Sequence, residues 1–360
     1  MKVAIIGTSN SIGPKSYVRS LASSSLVTQV DNFSLGHSTS VVLPLSLHRF
    51  EPSKFDFCIF DFAVNEEGMI RSHPERADQI AQRLSGMLER FHGTSCVPVI
   101  LIMPCHLGLN QECLGRKLYI EFATNNNLPF FDGYEYLEQL QAGSVLSHMD
   151  LFRDPDHIAQ WPAYALGFIL AKQLNWLKEQ HIHLGSKLTR LPEFTYLRAA
   201  TELTDLPGDV IHRRNSLVAD SFLKLSGVAT HEIRLSRPGT LIGLGLDLAG
   251  TNARIALSSG DKRVLLDFGT NYFDPTGEKM TFVVRPVFPQ LPVDTSFQIT
   301  TVQRESIRCS DLYLHGFSIQ MLERPSKVLS ISPTEIDLAG LVQRNDIREG
   351  ILAAQALLRK

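Results

Sequence analysis

Short apolar runs alternate with helix-length stretches through residues 1–182, and this alternation constrains the fold more than any other feature of the chain. The candidate strands are Val3–Ile6, Thr28–Phe33, Phe55–Phe62, Val97–Met103 and Leu128–Phe131. A strand that is apolar on both sides must be covered on both, which calls for a parallel sheet with helices on each face. Helices are expected over 14–24, 74–92, 111–126 and 158–180. Pro14 suits the first turn of the first, where its missing N–H costs nothing. Ile80, Leu84, Leu88 and Phe91 carry helical spacing through the second. Ligands of such sheets gather at the carboxyl ends of the strands. Ser9, Gly36 and Asn65 each follow a candidate strand and so face that rim.

The pattern changes after residue 184. Residues 185–235 are mixed, with Pro192, Pro207 and Gly208 marking loops. From Gly239 to Ser332 come β-type runs separated by Gly, Asp and Pro: Leu241–Leu248, Ala253–Leu257, Arg263–Phe268, Thr281–Val287, Phe297–Thr301 and Leu312–Gln320. That spacing predicts an antiparallel sandwich or jelly roll. The tail over 336–358 reads as helix. The expected division is an α/β domain over 1–182 and a β-rich domain with a C-terminal helix over 183–360.

Composition narrows the function. The 360 residues are 44% hydrophobic and 20% charged, with a formal net charge of -2. That is ordinary for a globular protein and gives no field favouring nucleic acid or an anionic membrane. No apolar run approaches the ~20 residues of a membrane span. Val3–Ile6 is too short for a secretory leader and is needed as a strand. Cys58, Cys96, Cys105, Cys113 and Cys309 form no CxxC pair. Reduced thiols packed as small hydrophobes, and the cytoplasm, are the expectation. The histidines outside the site show no metal-ligand spacing, so neither metal nor cofactor is expected. His37 and His106 lie near strand ends, where they could line a pocket.

Serine is a weak nucleophile that needs a neighbouring base, and the oxyanion it creates needs preorganised donors. Ser9 sits where a strand gives way to a helix, so its Oγ can be exposed and its N–H can point inward, aided by the positive end of the helix. Gly36, within Asn32-Phe-Ser-Leu-Gly-His-Ser-Thr39, offers a second N–H, and the Asn65 side-chain amide a third donor. His157 is the candidate base. Asp154, three residues before it, would hold the imidazole tautomer. Asp156 is better placed to cap the helix that follows.

This ordered set resembles the SGNH, or GDSL-like, hydrolases over residues 1–182. Gly7-Thr8-Ser9-Asn10-Ser11 is similar to the family's Gly-Asp-Ser-x-Ser block, and Gly36 falls on the second-block glycine. Ala63-Val64-Asn65-Glu66 is similar to Gly-x-Asn-Asp, and Asp154-Pro155-Asp156-His157 matches Asp-x-x-His. The resemblance implies a flavodoxin-like sheet of five parallel strands and metal-free ester hydrolysis or acyl transfer. Ser9, His157 and Asp154 would form the triad, and Ser9, Gly36 and Asn65 the oxyanion hole. Family members act on sugar O-acetyl groups and some carry a β-domain, so a glycan or small-molecule ester is the expected substrate. Thr8 and Ala63 depart from the pattern without removing a proposed catalytic group.

Two other readings stay open. The first is a non-catalytic glycan- or protein-binding protein on the same fold, with Ser9 a helix cap and Asn65 a loop residue bonding its own backbone. In either case the β-rich segment could serve as a homo-oligomer contact. The second rests on Gly245–Leu257, which is similar to the phosphate-binding hairpin of actin-like sugar kinases. The sequence downstream lacks the length and motifs for such a kinase, so a plain β-hairpin with a Gly-Thr-Asn turn is the simpler expectation.

Overall fold

The computed structural model describes residues 1–359 apart from 143–145, 181, 183, 216, 270–279, 303–309 and 332–335; Cys309 lies outside the described residues. The first compact unit comprises Met1–Gly36, Arg49–Thr189 and Pro325–Lys360. The second comprises His37–His48 and Arg190–Arg324. This corrects the contiguous division at 182/183.

The tail belongs to the first unit because its apolar face is covered there. Helix Arg344–Leu358 buries Ala354 against Tyr164 and Ala165 of helix Gln160–Glu179, with Ile351 and Leu357 packed alongside. Just ahead of it, the Leu338 N–H donates to the Phe130 carbonyl (2.8 Å) and the Phe130 N–H to the Ile336 carbonyl (3.0 Å). Residues 37–48 belong to the second unit. There the Val284 N–H donates to Ser38 Oγ at 3.3 Å, and the Ser318 hydroxyl to the Val41 carbonyl at 2.8 Å.

The first unit is built on strands β1 (Lys2–Gly7), β2 (Gln29–Asn32), β3 (Phe57–Asp61), β4 (Val97–Ile102) and β5 (Phe130–Asp132). They form one sheet in the order β2-β1-β3-β4-β5. Every pairing is parallel. This is the doubly wound arrangement expected from the apolar runs. β3 and β4 are buried along their whole length, as two covered faces require.

Helices Tyr17–Ser23, Arg76–Met87, Leu114–Asn125 and Gln160–Glu179 fall within the four expected stretches. The first starts three residues past Pro14, which therefore lies ahead of it. Helices Ala63–Ser72, His106–Asn110 and Gly133–Gln141 were not legible. In the first of these, Glu66 and Glu67 are buried beside Ala63, Val64 and Ile70, so its inward face carries no apolar stripe.

The second unit packs two antiparallel sheets. One runs Phe282–Val293, Gly239–Asp247, Asp311–Ile331, Ala219–Ser226, Asp209–Arg214, with Leu184–Arg198 also pairing Asp311–Ile331. The other runs Thr230–Arg234, Ser296–Val302, Ala253–Ser259, Lys262–Phe268. Leu241, Leu244 and Phe317 of the first meet Ile255, Leu257 and Phe297 of the second in one core. Phe297 and Phe317 make an edge-on contact with centroids 5.1 Å apart. All six expected runs are strands. Of the strands within 185–235, Asp209–Arg214 and Thr230–Arg234 escaped the sequence reading because they are largely exposed and so show little apolar alternation.

Gly245–Leu257 is neither a phosphate hairpin nor a plain one. Its two strands, Gly239–Asp247 and Ala253–Ser259, lie in different sheets, and the Gly-Thr-Asn stretch carries the chain between them.

Helix Gln160–Glu179 lies close against helix Tyr17–Ser23 at Gly167. A Cβ there would overlap Ser20 Oγ and the Tyr17 carbonyl and come within 2.8 Å of the Leu21 nitrogen. Gly167→Ala is therefore expected to lower stability by about 1–3 kcal/mol, the usual cost of overpacking. A urea midpoint unchanged from wild type would contradict this contact.

Candidate active site

Three parallel strands lie side by side in the order β2-β1-β3, so the segments that follow them emerge on the same edge of the sheet. β1 ends at Gly7 and runs into a 3₁₀ turn, Ser9–Ser11. This turn is tied to the sheet by Ser11. Its hydroxyl donates to Asp61 Oδ2 at 2.7 Å and lies 2.9 Å from the Tyr17 hydroxyl. Its carbonyl accepts from Asn32 Nδ2 at 2.6 Å. A Cβ at Gly7 would come within 2.6 Å of Ser11 Oγ and 3.0 Å of the Asp61 carbonyl, so a side chain there would expel the anchor.

Ser9 is the first residue of this turn, which spans only three residues, and the following α-helix starts at Tyr17. The expected help from a helix N-terminus directly behind Ser9 therefore falls away, since a single 3₁₀ turn aligns few peptide dipoles.

The second component is a small hairpin, β6 (Phe152–Asp154) and β7 (His157–Ile158), in which Asp154 pairs with His157. It is fastened on two sides. The His106 N–H donates to the Pro155 carbonyl at 2.8 Å, and the Ala159 N–H to the Leu151 carbonyl at 2.7 Å. Asp156 does not cap the next helix as expected: that helix starts at Gln160, with Ala159 at its N-cap and no side-chain cap. The Asp156 carbonyl instead accepts from Asn10 Nδ2 at 2.9 Å.

The hairpin and the turn meet at His157. Its Nδ1 lies 2.6 Å from Asp154 Oδ1 and its Nε2 2.7 Å from Ser9 Oγ. With the carboxylate accepting from Nδ1–H, Nε2 holds a lone pair and accepts from the Ser9 hydroxyl. Burial pushes the Asp154 carboxyl up, but hydrogen bonds from His157 and the Asp156 N–H, the His157 charge and Arg153 together hold it below its ordinary value. Arg153 Nε donates to Asp154 Oδ2 at 3.2 Å and the Asp156 N–H to Oδ1 at 3.1 Å. Asp154 is thus ionised and oriented from several directions.

Gly36 and Asn65 stand on the same rim. The Leu35 N–H donates to the Gly7 carbonyl at 3.1 Å, so the chain past β2 still runs beside the end of β1 one residue before Gly36. A Cβ on Gly36 would lie 3.0 Å from Ile12 Cδ1, just past the Ser9 turn. Asn65 is not in a loop: it sits in the first turn of helix Ala63–Ser72 and is half-buried. The next residue, Glu66, is fully buried and accepts from the Tyr119 hydroxyl, which pins that helix.

His37 is exposed in the second unit, and His106 opens helix His106–Asn110 with its ring edge-on to Phe152. Cys58, Cys96, Cys105 and Cys113 are buried free thiols, although Cys105 and Cys113 are more than hydrophobes, since both bond the Tyr134 hydroxyl. Asn10 and Ser11 were missed as site-building residues, because an Asn and a Ser in a small-residue turn carry no apolar pattern.

No protein-family model matches the sequence, and no curated protein matches it. Solved structures do. A two-domain esterase (CEX) active on acetylated mannans aligns with 90% of this chain and 92% of its own, at 13% identity and a TM-score of 0.61. The same esterase co-crystallised with mannopentaose aligns over 89% and 92%, at 12% identity and a TM-score of 0.62. The chain has the fold of a two-domain esterase. In this esterase-like fold the α/β unit carries the Ser9–His157–Asp154 chain, and among the described residues no helix is long and apolar enough to cross a membrane.

The Asp61 carboxyl that anchors the Ser9 turn through Ser11 is fully buried. Burial pushes the Asp61 carboxyl up to about 7, against the opposing hydrogen bond from Ser11. Its folded-state pKa exceeds its unfolded one, so its contribution to stability is full below about pH 4 and is lost as pH rises through about 7. The loss is at most about 4 kcal/mol. Wild-type protein is expected to lose melting temperature across that window, and Asp61→Asn to flatten the profile. Parallel profiles for the two proteins would show that Asp61 titrates normally.

Proposed function

We propose that the protein is a serine esterase acting on O-acyl groups, with O-acetyl groups of carbohydrate as the leading substrate class. The observation that carries this reading is the unbroken hydrogen-bonded chain from Ser9 Oγ through His157 to Asp154, at 2.7 and 2.6 Å. Ser9 Oγ attacks the acyl carbonyl while its proton passes to His157 Nε2, and Asp154 stabilises the imidazolium. The Ser9 and Gly36 N–H groups and the Asn65 amide hold the developing oxyanion. The tetrahedral intermediate collapses, and His157 returns the proton to the departing alcohol oxygen. Water then attacks the acyl-serine by the same route, releasing the carboxylic acid and restoring Ser9. If a sugar hydroxyl replaces that water, the same residues perform O-acyl transfer.

Support for a carbohydrate ester comes from the likeness in fold to an esterase active on acetylated mannans. A non-catalytic binding protein would have no use for a 2.7 Å contact between Ser9 Oγ and His157 Nε2, so that contact favours the catalytic reading.

Wild-type protein is expected to hydrolyse short-chain esters and acetylated oligosaccharides and to label at Ser9 with a fluorophosphonate. Ser9→Ala is expected to abolish both while keeping the melting temperature; undiminished turnover by that variant rules the mechanism out. Asp154→Asn is expected to lower kcat about 10³- to 10⁴-fold, since the amide favours the wrong imidazole tautomer. Steady-state kinetics on the same esters check this, and a loss under tenfold would remove Asp154 from the proposed triad.

A further inference from the structure

We propose that Asn10 is a positioning residue that sets the register between the Ser9 turn and the His157 hairpin through its hydrogen bond to the Asp156 carbonyl. This rests on the serine-esterase reading above. Asn10 Nδ2 donates to the Asp156 oxygen at 2.9 Å, between residues 146 positions apart. Asn10 directly follows the nucleophile, and the Asp156 carbonyl belongs to the peptide bond whose nitrogen is that of His157. One side-chain amide therefore joins the immediate neighbours of the two groups that must exchange a proton. Only 6% of Asn10 is exposed, so water competes poorly for its side-chain amide, although Asp156 itself is exposed.

The other anchors described above do a different job. Ser11, Asp61, Tyr17 and Asn32 fix the turn to the sheet, and none of their bonds reaches the hairpin. His106 and Ala159 fix the hairpin through the Pro155 and Leu151 carbonyls, and neither bond reaches the turn. Each part keeps its own anchors without Asn10, but of the bonds described above between turn and hairpin only the Ser9–His157 contact would then remain. Proton transfer is sensitive to shifts of one part against the other: a misplacement of ~1 Å costs roughly 10²-fold in rate. The residue type suits the task, because an amide donates to a carbonyl at every working pH. A carboxylate in its place repels that carbonyl and can donate only when protonated.

The test compares wild type, Asn10→Ala and the isosteric Asn10→Asp. Steady-state kinetics on a short-chain ester are measured from pH 5 to 8, and ¹⁵N NMR spectra of the His157 ring are recorded alongside. Asn10→Ala is expected to lower kcat about 10- to 100-fold with KM within about twofold. Asn10→Asp is expected to fall further behind wild type as pH rises and to recover toward acid, which a packing defect alone would not produce. Both variants keeping kcat within twofold, or Asn10→Asp tracking Asn10→Ala at every pH, would overturn the proposal. The NMR arm requires no turnover. The His157 Nε2 resonance of Asn10→Ala should move toward its position in Ser9→Ala, where the hydrogen bond from Ser9 is gone. An Nε2 resonance left at its wild-type position would refute the role of Asn10. If wild type neither turns over esters nor labels with fluorophosphonate, the esterase reading fails, and the Nε2 resonance still decides the coupling.

Discussion

One hydrogen bond, from the Ser9 hydroxyl to His157 Nε2 at 2.7 Å, joins residues 148 positions apart, and the candidate chemistry depends on it. Closing so long a loop costs conformational entropy that a single exposed contact could not offset. The contact persists because each partner sits on a short element already fixed by other bonds. The Ser9 turn hangs from the sheet through Ser11 and Asp61, and the His157 hairpin hangs from the His106 N–H and its own Asp154–His157 pairing. The precision of this contact comes from local rigidity on both sides of it.

The polar groups beneath the turn show what that rigidity costs. Ser11 occupies space that only a glycine at position 7 leaves open, and its hydroxyl needs an acceptor in a fully buried place. Asp61 supplies one at the price of a carboxyl pushed up to about 7 by burial. Desolvation penalises the charged form there, so the carboxyl gives up its proton only near neutral pH. Asp154 is the opposite case. It is partly exposed and faces His157, Arg153 and the Asp156 N–H, so it stays ionised. Two carboxyls, one bonded to Ser11 and one to His157, are thus shifted in opposite directions by their surroundings.

Much of this was legible in the residues, for identifiable reasons. Strands β1, β3, β4 and β5 were readable because burial on both faces writes a nearly continuous apolar run, whereas β2, Gln29–Asn32, is exposed to half-buried and carries only Val30 as an apolar residue. Ser9 stood out at the end of an apolar run, and Asp154 and His157 just ahead of the helix expected over 158–180, as blocks in a recognisable order; the structure joins the three by hydrogen bonds. Helix Ala63–Ser72 was not legible, because its buried face carries Glu66 and Glu67, whose partners come from elsewhere in the chain, such as Tyr119 and the Gly115 N–H. Asp156 looked like a helix cap by spacing, yet the helix begins later and its carbonyl serves Asn10 instead. The Gly245–Leu257 segment looked like one hairpin because local sequence cannot tell a turn within a sheet from a passage between two sheets.

The sequence by itself determined the layers of the fold, the strand ends at which a site could form, and the residue types able to do acyl chemistry, because these follow from burial patterns and side-chain reactivity along the chain. Tertiary structure alone decided that residues 37–48 join the β-rich unit, that the C-terminal helix returns to the first unit, that Asn10 reaches the Asp156 carbonyl and that Ser11 ties the Ser9 turn to Asp61. Those outcomes depend on partners tens to hundreds of residues away, and a hydrogen bond between distant segments leaves no periodic trace in either one.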